Sequence, residues 1–262
     1  MPQLSLDLTE GVATVTITNP PLATMDPGTV AEIAALMPRL AEADVRAVIF
    51  TGGIEGFFIR HYSVVELDRS AQGEVAARPL VPVNLHDLLL EIENLPKPVL
   101  TALNGTAMGG GWEFAMATDI RVAKDGPFRF GLPEVSVGIL PGAGGTQRLT
   151  NLVGRNRAIE MMLRARTVPP QEALALGMIE ELVPADSRES ALDRARSIAR
   201  EIAARPPLAV AHIKRLARAA VSPVSRDLLS LESRLFAELM QTPEARALLA
   251  QVATAHRKGE AD

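Results

Sequence analysis

The chain has 262 residues, of which 47% are hydrophobic and 22% charged, and its net charge is −4. That balance suits one large or two smaller globular domains and excludes disorder along the whole length. The absence of cysteine rules out disulfides, thiol catalysis and Cys-based zinc sites, and a pI of about 5.7 supplies no global basic field for nucleic acid or anionic lipid.

The first eight residues alternate polar and apolar side chains and include Asp7. They lack the basic start and apolar core of an export signal. No run approaches the ~20 apolar residues of a membrane span. A cytoplasmic location is expected, in keeping with the lack of cysteine.

From Gly11, residues Ala13, Val15 and Ile17 alternate with threonines, the period of a strand, which Asn19-Pro20-Pro21 ends. A helix is predicted from about Pro27, capped by Asp26, with Val30, Ile33, Ala34, Met37 and Leu40 at helical spacing. Pro38 is expected to kink or shorten its end. Residues 45–50 read as a buried strand closed by Gly52-Gly53. Residues 54–82 are the least regular stretch and read as loops. A helix over about 82–93 and a strand over 99–103 follow. Gly109-Gly110-Gly111 opens a short helix over 112–118, and short strands are predicted over 120–123 and 128–130.

Strands alternating with helices indicate an α/β layered fold with crossover connections. After about residue 146 the strand pattern nearly vanishes. Helices are predicted over 147–153, 156–163, 170–176, 189–204, 208–219 and 226–240. The expected organisation is a core domain over residues 1–200 and a helical C-terminal region over 201–262, with a frayed tail from Arg257.

The chemically informative stretch is residues 97–149, KPVLTALNGTAMGGGWEFAMATDIRVAKDGPFRFGLPEVSVGILPGAGGTQRL. A glycine cluster precedes a helix that carries Glu113 in its first turn. A second carboxylate, Glu134, follows in Gly-Leu-Pro-Glu, and another glycine cluster lies at Gly142-Ala-Gly-Gly145. Glycines at a helix start let a ligand approach bare N–H groups. Such donors, with the positive helix end, can stabilise an oxyanion. Two glutamates from separate elements could then act as general acid and base. Taken alone, the pattern leaves other readings open. The glycines could serve close packing, Glu113 could complement the helix dipole, and Glu134 could be a turn residue at the surface. The second cluster does not have the dinucleotide fingerprint. No set of His, Asp and Glu has metal-ligand spacing, so no metal is expected.

Together, Asn104-Gly-Thr-Ala-Met-Gly-Gly-Gly-Trp-Glu113, Phe130-Gly-Leu-Pro-Glu134 and Gly138-Ile-Leu-Pro-Gly-Ala-Gly-Gly-Thr-Gln-Arg-Leu149 resemble the crotonase (enoyl-CoA hydratase/isomerase) superfamily. The likeness extends to the strand from Gly11, to 45–52 and to 173–184. The resemblance implies a crotonase-like spiral of ββα units followed by a helical region used for trimer contacts. A homotrimer or a dimer of trimers is therefore expected, and Leu228, Leu229, Leu231, Leu235, Phe236 and Leu239 supply apolar surface. It also implies an acyl-CoA thioester as substrate, with no resident cofactor; the acidic pI, the lack of an aromatic-plus-basic pattern and the lack of an apolar span lead us to expect no nucleic-acid or membrane partner.

By the same resemblance, the thioester oxygen is held by two backbone N–H groups. One matches Gly110. The other matches Tyr62, because Phe58-Ile-Arg-His-Tyr-Ser63 aligns with the family's Phe-x-Ala-Gly-Ala-Asp loop. Glu113 and Glu134 match the glutamates that activate water and move the proton. Arg60, His61, Ser63 and Val64 fall in substrate-binding segments, as do Gly109, Trp112, Pro133 and Gly142. Both glutamates being present favours hydration of a 2-enoyl-CoA. The alternatives are an enoyl-CoA isomerase relying on Glu134, a hydrolase of a C–C bond in a β-diketone, and a non-catalytic binder.

The chain also departs from the family pattern. Arg60-His61-Tyr62-Ser63 replaces small residues and an acid, and Trp112 is bulkier than usual. The C-terminal Phe-x-Glu-Lys-Arg pattern is weakened to Val252-Ala-Thr-Ala-His-Arg257. His61 is the histidine placed for a functional role. His86 is expected to be solvated or at the core edge, His212 and His256 at the surface, and Lys214 and Arg215 on a charged helix face.

Overall fold

The computed structural model of the chain describes residues 3–73, 84–220 and 225–258. It begins with an element that the sequence pattern did not single out, the edge strand β1 (Leu4–Thr9), antiparallel to β2 (Val12–Ile17). Helix α1 (Pro27–Ala41) starts at a reciprocal cap between Asp26 and Thr29. It runs on through Pro38, because Met37 and Leu40 are buried on its core face and hold the last turn. Strand β3 (Ala47–Gly52) lies parallel to β2 and is buried on both faces, as a parallel strand covered by helices should be.

The stretch read as loops contains strand β4 (Gly56–Phe57) and helix α2 (Val64–Ala71). Helix α3 (Leu85–Asn94) is capped by Asn84; the expected start near Pro82 lies outside the described residues. Strands β5 (Val99–Leu103) and β6 (Gly105–Met108) lead into α4 (Gly110–Met116). Strands β7 (Ile120–Lys124) and β8 (Phe130–Gly131) lead, through a 3₁₀ turn at Glu134–Val137, into α5 (Gly145–Val153). Then come α6 (Arg155–Leu163), β9 (Thr167–Val168), α7 (Pro170–Ala175), β10 (Glu181–Val183), α8 (Ala191–Ala203), α9 (Pro207–Ala220), α10 (Arg226–Met240) and α11 (Pro243–Arg257).

The strands form two sheets, one ordered β1-β2-β3-β5-β7-β10 and one ordered β4-β6-β8-β9. Three times in succession a strand enters the large sheet, the next enters the small sheet, and a helix follows: β3-β4-α2, β5-β6-α4 and β7-β8-α5. This repeating ββα path is the spiral that the resemblance implied. The core between sheets and helices is aliphatic, with an aromatic knot in which Phe114 meets Phe50 at 5.0 Å and Phe58 at 5.9 Å. Each such fully buried ring stabilises the fold by roughly 1.5–3 kcal/mol.

The last two helices return to the core. Met240, Ala245, Leu249 and Ala253 form one apolar cluster with Val64 and Ala71 of α2 and with Ile139. Helix α9 buries no residue and leaves Leu208, Ile213 and Leu216 exposed. Among the described residues no helix is long and apolar enough to cross a membrane.

Candidate active site

The site grows from the extended segment at residues 58–63. Arg60 N–H donates to the Ala23 carbonyl, and Met108 N–H donates to the Arg60 carbonyl. Met25 donates to His61 and accepts from Ser63. Tyr62 lies between those last two bonds, so its own N–H faces away from Met25, towards the start of α4. There a Cβ placed on Gly110 would come within 3.2 Å of the Tyr62 nitrogen, and one on Gly111 within 2.0 Å of the Ile59 carbonyl oxygen. Only glycines allow α4 to begin this close to the segment. The cluster therefore serves close packing, and that packing sets the Gly110 and Tyr62 peptides side by side. Gly110 is the first residue of α4, where N–H groups have no helical partner. Neither its N–H nor that of Tyr62 donates to a carbonyl among the described residues.

Glu113 sits in the first turn of α4 and is 3% exposed. Its Oε1 accepts from the N–H groups of Ala143 at 2.7 Å and Gly145 at 2.8 Å. That leaves Oε2 as the oxygen for a ligand. Burial first, and then the charge of Glu232, push the carboxyl up to about 7, against the opposing pull of the two N–H groups and Arg148. Glu134 opens the 3₁₀ turn, with Oε1 close against Gly109. Its Oε2 is enclosed and has no hydrogen-bond partner among the described residues. Burial and the neighbouring Glu113 push this carboxyl up as well. Both carboxyl groups thus hold a proton more tightly than a free glutamate does, as enclosed neighbouring acids should.

Both glutamates face a cavity of about 520 Å³ whose wall also includes Tyr62, Gly110, Ile139 and Phe236. Of the other residues expected to bind substrate, Arg60, His61, Val64, Gly109, Pro133 and Gly142 lie on this wall. Ser63 does not; its hydroxyl caps α2 by accepting from Glu66 N–H. Nor does Trp112, which is fully buried and stacked on Phe130 at 5.3 Å, so its bulk fills core and does not narrow the pocket. The Arg60 guanidinium lies over the Phe57 ring at 4.8 Å. The Tyr62 phenol is pushed up to about 12, mainly by burial, and so stays neutral at physiological pH. His61 bonds the Tyr62 carbonyl through Nδ1 at 2.7 Å.

Several residues of the site were not expected. His256, read as a surface residue, is buried and stacked on His61 with ring centroids 5.1 Å apart. His86, read as solvated or at the core edge, donates from Nε2 to the Gly142 carbonyl at 2.5 Å. Glu232 of α10 is 5% exposed and accepts from Gly144 N–H at 2.6 Å. Its signal in the sequence is a carboxylate on the apolar face of α10, one turn from Leu229 and from Phe236. Lys214, read as part of a charged face, is half-buried and paired with Asp119 at 2.7 Å.

Such a site can hold a polarised carbonyl oxygen between two N–H donors while one acid takes and the other gives a proton. A family model described as enoyl-CoA hydratase/isomerase matches residues 7–254. The short-chain-enoyl-CoA hydratase of Clostridium acetobutylicum is 33% identical over 237 residues, which cover 90% of this chain and 88% of that one. The crystal structure of an enoyl-CoA hydratase from Mycobacterium avium subsp. paratuberculosis superimposes with a TM-score of 0.81 at 26% identity, covering 95% of this chain and 98% of that one. An enoyl-CoA hydratase structure from Bacillus anthracis gives a TM-score of 0.73 at 27% identity, covering 98% and 96%.

Proposed function

The chain belongs to the enoyl-CoA hydratase/isomerase family, and we propose that it adds water across the 2,3 double bond of a 2-enoyl-CoA. An enzyme of enoyl-CoA hydratase type is the common ground with its relatives; the particular reaction and the roles below are the proposal. The observation that carries it is a pair of enclosed carboxyl groups, both pushed up, that face one cavity beside two peptide N–H groups with no carbonyl partner among the described residues.

In this reading the thioester oxygen lies between the Tyr62 and Gly110 N–H groups. The water oxygen bonds to Cβ as Glu113 takes one of its protons, and the π electrons of the double bond move towards the thioester oxygen. The two N–H donors stabilise that charge without being consumed. Charge then returns to Cα, which takes a proton from Glu134, and the product is the 3-hydroxyacyl thioester. Removing one such donor typically costs about 10²–10³ in rate. Isomerisation needs only one carboxylate as a proton shuttle, so retention of both glutamates in one cavity supports hydration over isomerisation. The Tyr62 carbonyl engages His61 Nδ1, and the His256 ring covers one face of the His61 ring, an arrangement that supports a wall role for His61 over that of a second base for C–C cleavage.

The chemistry calls on no resident cofactor beyond the coenzyme A of the substrate. We place the enzyme in the cytoplasm, as a homotrimer or a dimer of trimers. Incubation of the pure protein with crotonyl-CoA should bleach the enoyl absorbance and yield 3-hydroxybutyryl-CoA. Glu113→Gln and Glu134→Gln should each lower kcat by about 10²–10⁴-fold with the fold intact. Near wild-type turnover in either variant removes that glutamate from the mechanism.

A further inference from the structure

The loop from Gly142 to Gly145 is clamped from opposite sides by two carboxylates. Ala143 and Gly145 donate their N–H groups to Glu113, at 2.7 and 2.8 Å. Gly144, between them, donates to Glu232 Oε1 at 2.6 Å, and the Thr146 hydroxyl donates to Glu232 Oε2 at 2.5 Å. The loop carbonyls are held as well, Gly142 by His86 at 2.5 Å and Ala143 by Arg148 at 2.7 Å. His86 Nε2 stands 3.6 Å from Glu232 Oε1, and the Ser233 hydroxyl lies 3.3 Å from His86 Nδ1. A carbonyl can only accept, so His86 carries a proton on Nε2.

We propose that Glu232 is a positioning residue for this site: it fixes the loop that holds Glu113 and sets a negative charge beside the two acids of the cavity. The inference deepens the hydration reading and rests on it for the role of Glu113. Helix α10 does not need this carboxylate. Glu232 lies in the buried stripe between Leu229 and Phe236, where an apolar side chain would avoid the cost of desolvation. What the carboxylate contributes is the grip on Gly144 and a negative charge beside two acids. That charge is the second cause, after burial, of the upward push on Glu113, and a lesser one for Glu134. The facing groups are His86 of α3, whose imidazole is pushed up mainly by the Glu232 carboxylate 3.6 Å away, and the Arg148 guanidinium of α5.

Glu232→Gln keeps the shape and an acceptor for Gly144 N–H but removes the charge. Glu232→Ala removes both. In the ligand-free protein, the carboxyl ¹³C titration of Glu113 should fall by about one pH unit in Glu232→Gln. The pH profile of kcat/KM should move the same way, with kcat at the new optimum near wild type. Glu232→Ala should lose kcat by about 10²-fold with KM little changed, because the loop no longer fixes Glu113. An unmoved Glu113 titration in Glu232→Gln overturns the proposal, whether or not the protein turns over an enoyl-CoA. A lowered titration in a protein that hydrates no 2-enoyl-CoA supports the link from Glu232 to Glu113 and overturns the hydratase reading instead. Full kcat in a folded Glu232→Ala overturns the grip on the loop. If that variant does not fold, the titration of Glu232→Gln decides alone.

Discussion

Glu113 is pulled in two directions, by burial and Glu232 towards the neutral acid and by two N–H groups towards the anion, and burial wins. Its carboxyl rises from the ordinary 4.5 to about 7 in the folded state. The folded protein then binds a proton more tightly than the unfolded chain. The resulting stability is fully present below about pH 4.5 and is lost as pH rises through about 7. Glu113→Gln, which needs no proton to be neutral, should therefore be more stable than wild type at pH 8, by on the order of 1–3 kcal/mol, and nearly equal to it at pH 4.5. Urea melts at the two pH values check this, and a stability difference that is the same at both would refute it. The gain in stability with loss of activity is the usual mark of a strained functional group. Tyr62 divides in the same way between peptide and side chain. A phenol pushed up to about 12 offers no base at neutral pH. Tyr62→Phe should accordingly keep its kcat, and Tyr62→Ala should alter KM and chain-length preference more than kcat. Tyr62→Pro should abolish turnover, because proline has no N–H to give. Loss of turnover in Tyr62→Phe with binding intact would instead make the phenol a proton carrier.

At the scale of elements, the chemistry depends on how closely backbones approach. A Cβ on Gly145 would lie 2.7 Å from Glu113 Oε1 and 2.9 Å from the Pro141 side chain. Gly145→Ala should displace the loop that holds Glu113 and lower kcat by about 10²-fold while the far-ultraviolet circular dichroism stays native. Wild-type kcat in that variant would show that the contact does not set the position of Glu113. The glycines, Glu113 and Glu134 were legible because they lie in one contiguous segment whose spacing is itself the motif. Helix α1 was legible because Asp26, Pro27 and the apolar residues through Leu40 all give the same answer. Helix α2 was not: half of its eight residues are polar, and only Val64, Asp68 and Ala71 are buried. Strands β4, β9 and β10 have two or three residues each, too few to show a period, and become strands only by pairing with β6, β8 and β7. Helix α11 went unpredicted beside the weakened C-terminal pattern, though its Thr242 cap and Pro243 are ordinary start signals. Glu232, His86 and His256 reach the site only through tertiary packing of helices outside the 97–149 segment, α3 before it and α10 and α11 well after it. No local pattern records that, apart from a charge set in the apolar stripe of α10.

For the whole molecule, the open question is what covers α9. This helix leaves Leu208, Ile213 and Leu216 at 67%, 69% and 64% exposure, and Leu163 at the end of α6 is 71% exposed. Soluble proteins seldom leave that much apolar surface to water unless a partner covers it. The opposite face of α9 is firmly anchored: Arg218 pairs with Glu93 and Asp119, and Lys214 pairs with Asp119. Glu93 in turn pairs with Arg148, which holds the Ala143 carbonyl of the loop that grips Glu113. The exposed face is thus only a few polar contacts from the reacting centre, and covering it should stiffen both. In the homotrimer or dimer of trimers that we propose, this face would be a subunit contact. Light scattering at micromolar concentration should give three or six times the 28.0 kDa chain mass. Placing lysine at both Ile213 and Leu216 puts two charges into that face and leaves the Arg218 and Lys214 anchors untouched. The double variant should sediment as a smaller species, keep its circular dichroism, and lose activity along with its Arg148-held loop order. A wild-type protein of monomeric mass, or a double variant that stays fully assembled, would remove α9 from the interface.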